Sequence, residues 1–162
     1  MYFNAARLRL FLFALLALQL ATWYGSLPLL RTRYIDYRSF YAAGTMVRTG
    51  QAASLYDYET ERRVQNAVVG PNENALPYMP APFTALFFVP LSLLPFRASY
   101  FVFLGLNLAF AALAVRLLRP HLTALTSRWR PLPEMLFLTF LPLGIALMFG
   151  QLSILLLLLY CT

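Results

Sequence analysis

The sequence has no lysine, one cysteine, one histidine and six acidic residues in 162 positions. A lone cysteine, Cys161, excludes an internal disulfide and any cysteine metal cluster. The lone histidine, His121, sits in a basic stretch and reads as a solvated or headgroup-facing side chain. There is no Gly-rich phosphate loop, no HExxH and no Gly-x-Ser-x-Gly. No two carboxylates lie beside each other near Asp36 to suggest a metal pair, so no metal ligands and no resident cofactor are expected. The sequence leaves open whether a divalent ion assists. Charge is scarce as well: 12% of residues are charged and 60% hydrophobic, with a mean hydropathy of +0.65. A soluble domain is nearer a quarter charged and half apolar. The balance predicts an all-α, multi-pass membrane protein.

What charge there is comes as arginine. All 13 basic residues are arginine and the net charge is +7. They cluster at the ends of apolar runs, which suits membrane topology and anionic headgroups of membrane lipids. Nucleic acid is not an expected partner.

The first apolar run, 10–30, would extend roughly 30 Å as a helix, the thickness of the hydrocarbon core and longer than a signal-peptide core. It reads as an uncleaved transmembrane helix. Arg7 and Arg9 ahead of it predict a cytoplasmic N-terminus and an extracytoplasmic loop over 31–76. Within that loop Phe40, Ala43, Gly44 and Val47 recur at helical spacing until Thr49-Gly50. A second helix starts at Asp57, carries Glu59 and Glu61 in its first turn, and stops at Gly70-Pro71. Two short amphipathic helices on a membrane surface are expected.

Five prolines between 76 and 96 predict a broken helix over 77–97, because each proline removes a backbone donor and frees a carbonyl. A transmembrane helix follows at 98–118, with Gly105, Ala109 and Ala112 as a small-residue strip for helix contact. A basic linker spans 119–133. The last apolar segment, 134–162, is interrupted at Pro142 and broken near 150 at Gly150-Gln151. If 77–97 crosses the membrane, the linker lies outside, against the positive-inside tendency; if it does not, the linker is cytoplasmic.

The candidate for chemistry is Asp36, among Arg33, Arg38, Tyr37 and Tyr41 at the membrane edge. It reads as a helix cap, as an ion-pair partner of Arg33 or Arg38, or as a general base. Acids near hydrocarbon are functional candidates by default.

Three stretches in order resemble glycosyltransferase family 87, membrane enzymes of the GT-C fold that use polyprenyl-phosphate-linked sugars. They are DYRSFYAAGTMVRTGQAASLYD (36–57), PYMPAPFTALFFVPLSLLP (77–95) and FGQLSILLLLL (149–159). The split pair Pro80-Ala81-Pro82 departs from the family's adjacent prolines. The family's enzymes are also more than twice as long, so the chain is expected to be the N-terminal part of one and inactive alone. The resemblance implies inverting transfer of a sugar, with mannose the candidate, to a lipid or glycan acceptor, Asp36 being the base. Substrate contacts fall to Arg33, Arg38, Tyr37, Tyr41, Tyr56, Tyr78 and Gln151, although interfacial tyrosines also form ordinary aromatic belts. The rival reading is a non-enzymatic membrane protein, a transporter or assembly subunit, with Asp36 in a structural ion pair.

Overall fold

The computed structural model describes residues 5–30, 36–71 and 75–161, with backbone alone for 26–30. Arg33 therefore lies outside the described residues. No strand occurs among them. Two compact units form: Met1–Thr32 with Asn107–Thr162, and Arg33–Leu106.

In the first unit, α1 (Ala5–Leu30) is a long apolar helix without an amphipathic face. The helix α5 (Phe96–Leu118) begins in the second unit and ends in this one. Both are long and apolar enough to cross a membrane. After α5 come a 3₁₀ turn at Arg119–His121 and one short helical turn, α6 (Thr123–Thr126). Then follow α7 (Leu132–Leu138), α8 (Leu141–Phe149) and α9 (Ser153–Tyr160). The first two of these meet at a 55° bend, and as a pair they have the length and apolarity of a broken span or a re-entrant loop.

The break has a cause in the sequence. Pro142 has no N–H, so the carbonyl of Leu138, four residues back, loses its helical donor. In a membrane such a group needs another partner, and Gln19 Nε2 of α1 donates to it at 3.1 Å. Gly144 is what lets Gln19 approach, because a Cβ there would meet Gln19 Nε2 at 2.5 Å. The second break is a glycine stop. Gly150 adopts the left-handed conformation (φ 67°, ψ 47°), and the N–H groups of Gly150 and Gln151 return to Leu147 and Ala146. This satisfies the terminal carbonyls of α8.

At the opposite end of α1 the linker packs onto the first turns. The Arg9 guanidinium lies 5.3 Å over the Trp129 ring, and Phe13 meets the same ring edge-on. Beneath them Leu12, Leu132 and Met135 form a small core, and Arg119 pairs with Glu134 at 2.8 Å. The two arginine-rich stretches therefore share one end of this unit.

The second unit is built around α2 (Tyr37–Arg48), flanked by α3 (Tyr58–Val68) and the one-turn α4 (Ala85–Phe88). Asp57 caps α3 by accepting from the Thr60 N–H at 3.0 Å. Between residues 77 and 95 the helical pieces are a 3₁₀ turn, Pro82–Thr84, that runs directly into α4, and a second 3₁₀ turn, Leu91–Leu93. None of them is among the helices long and apolar enough to cross a membrane.

One expectation changes here. The amphipathic helix α2 does not lie on the surface: every residue from Tyr37 to Met46 is buried. Its polar members find local partners, Thr45 bonding the Tyr41 carbonyl at 2.9 Å and Ser39 the Asp36 carbonyl at 2.8 Å. On α5 the small strip Gly105, Ala109 and Ala112 is exposed, and the buried stripe is Phe103, Asn107, Ala111 and Ala114.

Candidate active site

Asp36 is partly buried and stands at the head of α2. Its backbone carbonyl accepts from the N–H of Ser39 at 3.1 Å and of Phe40 at 3.5 Å. Its side chain makes no capping hydrogen bond. The capping alternative is therefore not the one realised.

What distinguishes this carboxylate is the burial of the helix behind it. Tyr37 is fully buried, its hydroxyl bonded to Ser99 and its ring stacked on Phe103 at 4.9 Å. Tyr41 donates to the Leu94 carbonyl at 2.7 Å, and Arg48 bonds Ser92 Oγ at 3.1 Å. Phe40 stacks on Phe88 with centroids 5.0 Å apart. At Gly44 the backbones of α2 and α4 approach so closely that a Cβ would lie 2.5 Å from the Phe88 carbonyl oxygen. Burial pushes the Tyr37 and Tyr41 hydroxyls above the ordinary tyrosine range, so both remain neutral hydrogen-bonding groups.

Arg38 is buried and tied across to the end of α3. Its guanidinium donates to Asn66 Oδ1 at 2.8 Å and to the Gly70 carbonyl, while Nε has no hydrogen-bond partner among the described residues. Loss of hydration lowers its pKa from the usual arginine value. Its position next to the acid thus serves to hold α2 against the α3 terminus.

The proline segment is anchored on α3. The carboxylate of Glu61, 3% exposed, accepts from the Tyr78 N–H at 2.8 Å. Desolvation raises the Glu61 pKa, partly offset by that bond. Gln65 donates to the Leu76 carbonyl at 2.7 Å. The Tyr78 hydroxyl, its pKa raised by burial, bonds Thr84 and the Ala81 carbonyl, the latter at 3.2 Å. Tyr56 is exposed and donates to the Pro80 carbonyl at 2.7 Å. Asp36, Arg38, Tyr37, Tyr41, Tyr56 and Tyr78 are all in the second unit, whereas Gln151, at the end of α8, belongs to the first.

Sequence reasoning took Glu61 as a helix-start acid and passed over Gln65 and Asn66. For Glu61 and Gln65 a signal was present: with Val64 they are the buried residues of α3 and share one helical face. It also passed over Asn107, wholly buried on α5, whose two amide atoms have no hydrogen-bond partner among the described residues.

No curated protein and no solved structure matches the chain. The family model of glycosyltransferase family 87 matches residues 78–162, just over half of the 162. The match takes in the proline segment from Tyr78 and the Gly150-Gln151 stop, and begins after Asp36. With its apolar helices and this match, the chain belongs to glycosyltransferase family 87 and is a membrane glycosyltransferase.

Proposed function

We propose that the protein is a GT-C-type enzyme that moves a sugar, with mannose the candidate, from a polyprenyl-phosphate donor to a hydroxyl of a lipid or glycan acceptor, with inversion. The observation that carries this reading is Asp36 at the head of a helix buried on all sides, in a chain of this family. A base must be held within a fraction of an ångström of its working geometry, and a packed helix does that better than a loop.

In the proposed reaction Asp36 takes the proton of the acceptor hydroxyl. The oxygen attacks the anomeric carbon from the face opposite the phosphate. The anomeric C–O bond breaks, and polyprenyl phosphate leaves with the electron pair. Cations near the leaving group stabilise its charge. Arg33, three residues before Asp36 in sequence, is proposed for this, because Arg38 is engaged by Asn66 and Gly70. Among the tyrosines, exposed Tyr56 is the one proposed to stack on a sugar.

The proposed setting is the cell's inner or plasma membrane with the N-terminus in the cytoplasm. Arg7 and Arg9 lie at the same end as the linker with Arg119, Arg128 and Arg130, which supports a cytoplasmic assignment for that end. Residues 31–95 then join the outer ends of α1 and α5.

Enzyme containing this chain, given either a radiolabelled polyprenyl-phosphate sugar or the corresponding nucleotide sugar, tests the proposal. Transfer from the lipid-linked donor alone, into a product of opposite anomeric configuration, is expected. Transfer from the nucleotide sugar alone, or retained configuration, contradicts it.

A further inference from the structure

The first unit contains a cleft that the proposed chemistry does not use. Its volume is about 520 Å³, and it runs between α5 and the α7–α8 pair. One wall is Leu108, Ala112 and Val115; the other is formed by Leu138, Leu143 and Leu147. At one end the lining changes character to Arg116, Arg119 and Glu134. The cleft is thus apolar along its length and ionic at one mouth.

The charges at that mouth do not cancel. Glu134 pairs with Arg119 at 2.8 Å. Arg116 is exposed, and no ion pair or side-chain hydrogen bond to it occurs among the described residues. No other carboxylate lines the cleft. An occupant must therefore be anionic at the mouth and apolar beyond it.

The dimensions narrow the choice. From Leu108 to Arg119 is eleven helical steps, or about 16 Å. This is close to half of a hydrocarbon core of roughly 30 Å. A cleft with its charged mouth at headgroup level and its apolar end near the midplane has the depth of one leaflet. A soluble anion would leave the apolar walls uncovered, and a zwitterionic lipid would set a cation beside Arg116. Arginine is also the side chain suited to forked contact with phosphate oxygens.

We propose that this cleft binds an anionic phospholipid of the leaflet facing the arginine-rich end. The phosphate sits on Arg116 and Arg119, and one acyl chain lies along α5. Glu134 holds Arg119 at the mouth and acts only through it. The site depends on the helices crossing the membrane and is separate from any role of Asp36.

Spin-labelled phosphatidylglycerol and phosphatidylcholine, each in vesicles carrying the purified chain, test the proposal by the fraction of label immobilised. Phosphatidylglycerol should be favoured about fivefold, the effect of one basic side chain at a membrane surface. Arg116→Gln should bring the ratio close to one, with the helical circular dichroism unchanged. Ala112→Trp, which fills the cleft from an exposed position, should reduce immobilised phosphatidylglycerol as strongly. Equal immobilisation of the two lipids in the wild type overturns the proposal. So does an Ala112→Trp variant with full preference, since Arg116 would then be a surface anchor only. Loss of the preference on adding inorganic phosphate would identify a soluble-anion site and also overturn it. Immobilisation of neither lipid, with the chain dimeric, would give the cleft to a second copy.

Discussion

Gly44 of α2 lies so close to Phe88 of α4 that a β-carbon would sit 2.5 Å from the Phe88 carbonyl oxygen and 2.6 Å from its carbonyl carbon. Both obstacles are backbone, so no rotamer change relieves them. Gly44→Ala should cost about 1–3 kcal/mol, the usual range for overpacking. Thermal melting in detergent reads this directly. Transfer activity should fall with it, because α2 carries Asp36. An alanine variant with unchanged melting would mean that the two helices are not in this contact.

Gln19 supplies the donor that Pro142 denies to Leu138. Gln19→Leu keeps the helix apolar and should destabilise by about 1 kcal/mol, the scale of hydrogen bonds between membrane helices. Pro142→Ala restores an N–H at the break. In that background the Gln19→Leu penalty should shrink, and a double-mutant cycle on the melting temperatures measures the coupling.

Glu61 gives a pH signature. Its pKa is raised from 4.5 by burial, so the folded state holds the proton more tightly than the unfolded chain. Between 4.5 and the higher folded value the folded state binds more protons, and stability falls as pH rises through that window. Asp57 acts oppositely and lower down: hydrogen bonds from Thr60 depress its pKa below 3.8, so its contribution is lost as pH falls beneath that value. Glu61→Gln retains an acceptor for the Tyr78 N–H but cannot titrate. Melting of this variant should vary less with pH above 4.5 than that of wild type. Parallel curves would remove Glu61 from the account.

Much of the fold was legible because it rests on local signals. Asp57, the first-turn acids and Gly70-Pro71 bracketed α3 to within a residue or two, and the five prolines marked 77–97 as a segment without a regular helix. The surroundings of α2 were not legible. Arg38, Ser39 and Thr45 are polar, yet each finds a partner inside the fold, Asn66 and Gly70 for Arg38 and nearby backbone carbonyls for the other two. Sequence shows a polar side chain but not its partner. For the same reason nothing in the sequence pairs Gln19, a polar residue inside an apolar run, with an acceptor 119 residues away. At the site, Asp36 was visible by its isolation, whereas the burial of Tyr37, Tyr41 and Tyr78 depends on long-range packing.

Topology is open to a labelling experiment. Ala53 is exposed next to Ser54, and Cys161 is the single native cysteine. In a Cys161→Ser background, Ala53→Cys should react with a membrane-impermeant maleimide in intact spheroplasts. A cysteine placed at exposed Arg128 should react only after lysis. The reverse pattern would put residues 36–71 in the cytoplasm and contradict the proposed use of an outward-facing donor.

Asp36→Asn is the most direct test of the central claim that Asp36 is the base. The amide keeps the size and most of the hydrogen bonding of the carboxylate but cannot take a proton. General-base catalysis is typically worth about 10²–10⁴-fold. Single-turnover transfer from the lipid-linked donor, in enzyme containing this chain, should slow by that order while thermal melting moves by about 1 kcal/mol or less. A variant that melts normally and transfers at close to the wild-type rate would contradict the assignment and leave Asp36 a structural residue.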